Sequence, residues 1–164
     1  MIRAAIVTVS DSVAAGTRQD RSGVMLRDRA EALGWQVTAQ EIVPDEIGRI
    51  ASVLIRLADS GQVSLILTTG GTGVALRDVT PEAARTVIQR EIPGLGEMMR
   101  AEGRKLTPFA ALSRSMAGVR GATLILNLPG SPKGAVESLD AIVQLIPHII
   151  DLIEGRTGHG NVPN

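Results

Sequence analysis

Three segments of the chain, residues 2–9, 63–69 and 123–128, are dominated by apolar and branched side chains. The first carries no polar alternation, which is the pattern of a strand buried on both faces, and a parallel sheet covered by helices is the usual way to bury it. The stretches between supply the helices. Residues 23–33 set Val24, Met25, Ala30 and Leu33 at helical spacing before Gly34, and residues 47–58 set Ile47, Ile50, Leu54 and Ala58 on one stripe before Gly61. Residues 35–43 alternate and stop at Pro44-Asp45, a strand and a turn. Thr80-Pro81-Glu82 opens a helix to about residue 90, with the threonine as cap. A shorter helix is expected over residues 95–104, a helical turn and a hairpin over 106–121, and one long helix over 133–154. The expected fold class is α/β: three layers, with a mainly parallel sheet and helices on both faces. Residues 1–155 read as a single domain and residues 156–164 as a flexible tail.

In such a sheet a ligand sits outside the carboxyl ends of the strands. That rim gathers Ser10-Asp11, Asp45, residues 69–78 and residues 129–133. The richest of these is Leu-Ile-Leu-Thr-Thr-Gly-Gly-Thr-Gly-Val-Ala-Leu-Arg-Asp, residues 65–78, in which Gly70, Gly71 and Gly73 allow backbone N–H groups to approach an anion closely. Neither standard phosphate motif fits. A P-loop needs lysine and a hydroxyl residue after the last glycine, where Val74-Ala75 stand, and the dinucleotide fingerprint needs a small residue at Leu76. The second turn, Pro129-Gly130-Ser131-Pro132-Lys133, offers glycine approach, a hydroxyl and a compact positive charge, although a serine in the place of Ser131 is, taken alone, more often a plain helix cap. Asp11, Asp45 and Asp78 would repel a phosphate unless a cation lay between, and magnesium binds through one or two carboxylates together with phosphate oxygens. Magnesium nucleotide is therefore the expected ligand. Each aspartate also has a plainer reading as a turn or cap residue, and Glu97 reads as a helix acid opposing the dipole.

Composition removes other chemistries. Seventeen basic and seventeen acidic residues cancel, leaving no field for nucleic acid or anionic lipid. The chain has no cysteine, hence no disulfide, thiol nucleophile or thiolate metal site. His148 and His159 are not placed for base catalysis, and Trp35 and Phe109 are too few for base stacking. No run approaches a membrane span, so a soluble, cytoplasmic protein is expected.

Thr-Thr-Gly-Gly-Thr-Gly, Arg-Asp-Val-Thr-Pro-Glu-Ala, Pro-Gly-Leu-Gly-Glu-Met-Met-Arg, Leu-Ser-Arg-Ser-Met-Ala-Gly-Val-Arg-Gly and Leu-Asn-Leu-Pro-Gly-Ser-Pro-Lys-Gly occur in that order. Together they resemble the molybdenum-cofactor biosynthesis family of MogA, MoaB and the gephyrin G domain, over nearly the whole chain. The resemblance implies a trimeric α/β protein that transfers AMP from ATP to the terminal phosphate of molybdopterin and releases pyrophosphate. The MoaB branch implies the alternative of binding molybdopterin without adenylylating it, and a MoeA-type protein is the implied recipient. Carried over by residue, Asp45, Asp78 and Ser131 are the implied catalytic set, with Asp45 and Asp78 at magnesium. Ser10, Asp11, Thr69, Gly70, Gly71, Thr72, Gly73, Glu97, Pro129, Gly130 and Lys133 are the implied substrate-binding set. Residues 12–22, polar and small with Gly16 and two basic side chains, read as a loop expected to order over a ligand. One departure from the family, Val24 where proline often follows Asp-x-Ser-Gly, here Asp20-Arg21-Ser22-Gly23, implies a more mobile loop because valine does not preset the helix entry.

Overall fold

The computed structural model describes residues 1–156, so the expected tail lies, past Arg156, outside the described residues. Six strands form one sheet in the order β2-β1-β3-β6-β5-β4. These are β1 (Arg3–Val9), β2 (Gln36–Val43), β3 (Leu65–Thr69), β4 (Arg90–Glu91), β5 (Ala117–Arg120) and β6 (Thr123–Leu128). β2, β1, β3 and β6 run parallel, while β5 and β4 extend the sheet antiparallel from β6 and from each other. Register brings the parallel strands to a common end: Val9 lies beside Val43, Thr8 beside Thr69, and Thr69 beside Leu128. Residues 10, 44, 70 and 129 therefore leave the sheet along one rim.

The helices are α1 (Asp11–Ala14), α2 (Arg21–Ala32), α3 (Ile47–Asp59), α4 (Thr80–Val87), α5 (Pro93–Arg104), α6 (Pro132–Ile142) and α7 (Ile146–Ile153), with a 3-10 turn at Pro108–Leu112. The period-two alternation of the strands divides the core. Ile6, Leu67 and Leu126 face Leu26, Leu95, Met99, Leu139 and Ile146 on one side, while Val7, Ile66 and Ile125 face Ile50, Leu54, Ala83 and Val87 on the other. The three-layer arrangement expected from the sequence is thus formed. Among the described residues no helix is long and apolar enough to cross a membrane.

Three local expectations are corrected. The long C-terminal helix is two, because Pro147 has no N–H to continue the ladder and its ring would meet the carbonyl four residues back. Thr80 does not cap α4: Val79 holds that position, and the fully buried Thr80 hydroxyl donates to the Gly70 carbonyl at 2.8 Å. Residues 12–22 are only partly loop, since α1 runs to Ala14 and α2 begins at Arg21. Where the family often sets the start of α2 with proline, Asp20 sets it here. Its Oδ1 accepts from the Gly23 N–H at 2.9 Å and its Oδ2 from the Thr8 hydroxyl at 2.8 Å.

The buried stripe of α3 gives a direct check. Leu54 is fully buried and Leu76 fully exposed. Leu54→Ala is expected to cost about 2–5 kcal/mol in urea unfolding, and Leu76→Ala less than about 0.5 kcal/mol. Equal costs would contradict this packing.

Candidate active site

The site starts where two backbones touch. Gly70 and Gly71 leave β3 with φ of +104° and +67°, in the region that favours glycine. A Cβ on Gly70 would collide with the Val9 carbonyl oxygen, and one on Gly130 would sit 3.2 Å from the Gly70 Cα. Two hydrogen bonds tie the turns: the Gly70 N–H donates to the Leu128 carbonyl at 3.2 Å, and the Thr69 hydroxyl to the Pro129 carbonyl at 2.7 Å. The N–H groups of Gly71, Gly130 and Ser131 have no protein acceptor among the described residues, so they remain free to bind an anion.

Arg114 holds the outer part of the glycine loop. Its backbone N–H donates to the Thr72 carbonyl at 2.8 Å, its Nε to the Gly73 carbonyl at 2.7 Å, and its Nη2 to the Asp78 carbonyl at 2.6 Å. Nη1 pairs with Glu82, and that hydrogen bond keeps the Glu82 carboxyl below its ordinary range. Without this residue the carbonyls of the loop would lose three of their fixed partners.

The carboxylates are positioned by one another. Asp11 N–H donates to Asp45 Oδ2 and Asp45 N–H to Asp11 Oδ1, both at 3.0 Å, so the ends of β1 and β2 cap each other reciprocally. Arg77 pairs with Asp11, and Asp78 Oδ2 accepts from the Ala75 N–H at 2.9 Å. Burial, and then the negative charge of Asp78, push the Asp45 carboxyl above its ordinary value. Two hard oxygen donors that repel one another in a half-buried position fit a divalent cation. Among the described residues no three-ligand cluster exists, and magnesium, which takes its other ligands from phosphate and water, does not need one.

Two cavities open on this rim. The smaller, about 350 Å³, is polar and is lined by Asp45, Asp78, Thr69, Gly70 and Gly71, with the Ser10 that caps α1. The larger, about 660 Å³, is lined by Thr72, Gly73 and Pro129 and by the apolar side chains of Met99, Leu106, Phe109 and Leu112. Both volumes lie in the ordinary range for small-molecule sites. Gly130 and Ser131 line both. The glycine turn is therefore a partition, its first two glycines facing one cavity and Thr72-Gly73 the other.

Three residues of the expected set stand apart. Lys133 lines neither cavity; it is 86% exposed and reaches Glu137 on its own helix at 3.6 Å. Glu97 is exposed on α5 and also lines neither, and Asp11 lines neither but is hydrogen-bonded to Asp45. Arg114 was not singled out from sequence. It lies between two serines, and nothing local in Leu-Ser-Arg-Ser shows that it will meet a loop some forty residues earlier.

Residues 5–148 match the family described as "Probable molybdopterin binding domain". The chain belongs to this molybdenum-cofactor biosynthesis family. It is 42% identical to the molybdopterin adenylyltransferase of Helicobacter pylori J99, covering 99% of this chain and 94% of that protein. It is 36% identical to the molybdopterin adenylyltransferase of Escherichia coli K12, covering 94% and 86%. Among solved structures, the molybdopterin biosynthesis enzyme MoaB of Thermus thermophilus superposes with a TM-score of 0.89 at 53% identity, covering 94% of this chain and 98% of that one. The family fold and the partitioned rim thus coincide in one molecule.

Gly70→Ala, strained in angle and in contact, is expected to lose at least about 1–2 kcal/mol by chemical denaturation. Asp45→Asn is expected to gain thermal stability at neutral pH. The folded-state pKa of Asp45 is raised, so its contribution to stability is full below the unfolded value of about 3.9 and is lost as pH rises through the folded value. The gain should close at acid pH; a constant difference across the titration would remove the electrostatic cause.

Proposed function

We propose that this chain is a molybdopterin adenylyltransferase, a cytoplasmic enzyme of molybdenum-cofactor biosynthesis that joins AMP from ATP to the terminal phosphate of molybdopterin and releases pyrophosphate. The observation that carries the reading is the pair of cavities meeting at Gly130 and Ser131. The polar cavity, with its two carboxylates and free N–H groups, suits the phosphates of ATP. The larger cavity, apolar beside Thr72 and Gly73, suits the pterin. Names carried by relatives at 36–42% identity support the same activity.

The chemistry needs no histidine. A phosphate monoester has a second pKa of about 6 and is already mostly ionised at neutral pH, so its oxygen can attack the α-phosphorus directly while the bond to the bridging oxygen breaks. The protein's task is to bring two polyanions together and accommodate charge on the leaving group. Asp45 and Asp78 would hold magnesium, which when bound supplies charge neutralisation at the phosphates. The N–H groups of Gly71, Gly130 and Ser131 receive phosphate oxygens, and the Ser131 hydroxyl, which caps α6 by accepting from the Gly134 N–H at 3.1 Å, stands at the junction to orient the reacting phosphate. Assembly as a homotrimer and delivery of product to a MoeA-type protein complete the proposal.

A second reading has an observation of its own: the 53% identical structure bears the MoaB name. In that reading the chain binds molybdopterin without adenylylating it. Purified protein incubated with molybdopterin, magnesium and α-labelled ATP is expected to move label to the pterin, and Asp78→Asn to lower the rate roughly a hundredfold with the fold intact. Pterin binding without label transfer would favour the MoaB reading.

A further inference from the structure

Neither glycine-containing turn supplies the polar cavity with a basic side chain. Lys133 lies outside it, and Arg77 and Arg114 are committed to Asp11 and Glu82. The basic side chains lining it are Arg18, on the segment that joins α1 to α2, and Arg21, the first residue of α2. Both are exposed, and among the described residues neither guanidinium has a carboxylate or carbonyl partner. The obvious neutralising group, Asp20, stands between them in sequence but is occupied. One oxygen caps α2 and the other accepts from Thr8, on β1. A Cβ on Gly23 would collide with both Asp20 and Thr8, so this knot can form only with glycine there. Asp20 therefore pins the segment to the sheet and leaves two cations at the cavity wall opposite Asp45 and Asp78 in charge.

We infer that Arg18 and Arg21 are catalytic residues that hold the β- and γ-phosphates of ATP and receive the pyrophosphate as it leaves. This rests on the adenylyl-transfer reading. The planar guanidinium matches phosphate oxygens two at a time, which a lysine cannot do. In the step itself, a molybdopterin phosphate oxygen forms the bond to the α-phosphorus. The bond from that phosphorus to the oxygen bridging to the β-phosphorus breaks, and its electron pair leaves with pyrophosphate. Negative charge on the departing group rises as this happens. The two arginines face that change, whereas the carboxylates oppose it, so their stabilisation is greater in the transition state than in bound ATP.

The test uses the full chain and the variants Arg18→Gln, Arg21→Gln, the double variant and Arg21→Lys. Because both side chains are exposed, thermal unfolding is expected to match wild type. Each single glutamine variant is expected to lose roughly tenfold in kcat, the double variant more, and Arg21→Lys to recover part of the loss. Pyrophosphate with magnesium, titrated calorimetrically, is expected to bind each glutamine variant more weakly than wild type. Unchanged kcat and unchanged pyrophosphate affinity in the double variant would overturn the assignment. A wild-type protein that moves no label to molybdopterin would instead overturn the adenylyl-transfer reading, and a pyrophosphate affinity that falls in the variants would then still place the arginines at a phosphate site.

Discussion

The ends of β3 and β6 approach so closely that the Gly130 Cα, if it carried a Cβ, would press on the Gly70 Cα. Glycine at 130 leaves room for that backbone contact, and it is locked by the Thr69 hydroxyl on the Pro129 carbonyl. Much of the rim follows from it. The glycine loop is forced outward at Gly70, its carbonyl is taken by Thr80 at the start of α4, and its outer half is caught by Arg114. The result is a thin wall of backbone with a cavity on each side. A Cβ at Gly130 would press on the Gly70 backbone and one at Gly70 on the Val9 carbonyl, so either would strain this wall.

Electrostatics divides the rim as the backbone does. Reciprocal capping fixes Asp11 and Asp45 against each other, and burial together with the proximity of Asp78 makes ionised Asp45 costly in the folded protein. The uncommitted N–H groups at the turns, with Arg18 before α2 and Arg21 at its start, are the donors that line the polar side of the rim. The larger cavity is walled chiefly by apolar side chains such as Met99, Leu106, Phe109 and Leu112, with charged side chains of both signs, among them Arg100 and Glu102, also lining it.

Much of this was legible in one dimension. The three apolar runs became β1, β3 and β6, the stripe of Ile50 and Leu54 became the buried face of α3, and the strand-end rule brought Asp45, Asp78 and Ser131 to one rim. Glycine and proline carried the turn positions because their backbone restrictions are local. What was misread depended on partners distant in sequence. Thr80 looks like a helix cap until the Gly70 carbonyl arrives beside it, and Arg114 shows no local signal until the glycine loop meets it. Pro147 was the exception, a local signal outweighed by the apolar pattern around it.

Strand pattern, turn chemistry and family motifs, all short-range properties, were enough for the α/β class, the glycine turn and the strand ends that meet on one rim. The division of labour among the residues there was decided only in three dimensions. Which side of the wall Thr72 or Gly71 faces, which cations remain unpaired, and which carboxylate bears the burden of its neighbour all depend on where helices project side chains after packing. Side-chain direction and charge pairing across the rim are set by contacts between segments far apart in the chain, and no local spacing encodes them.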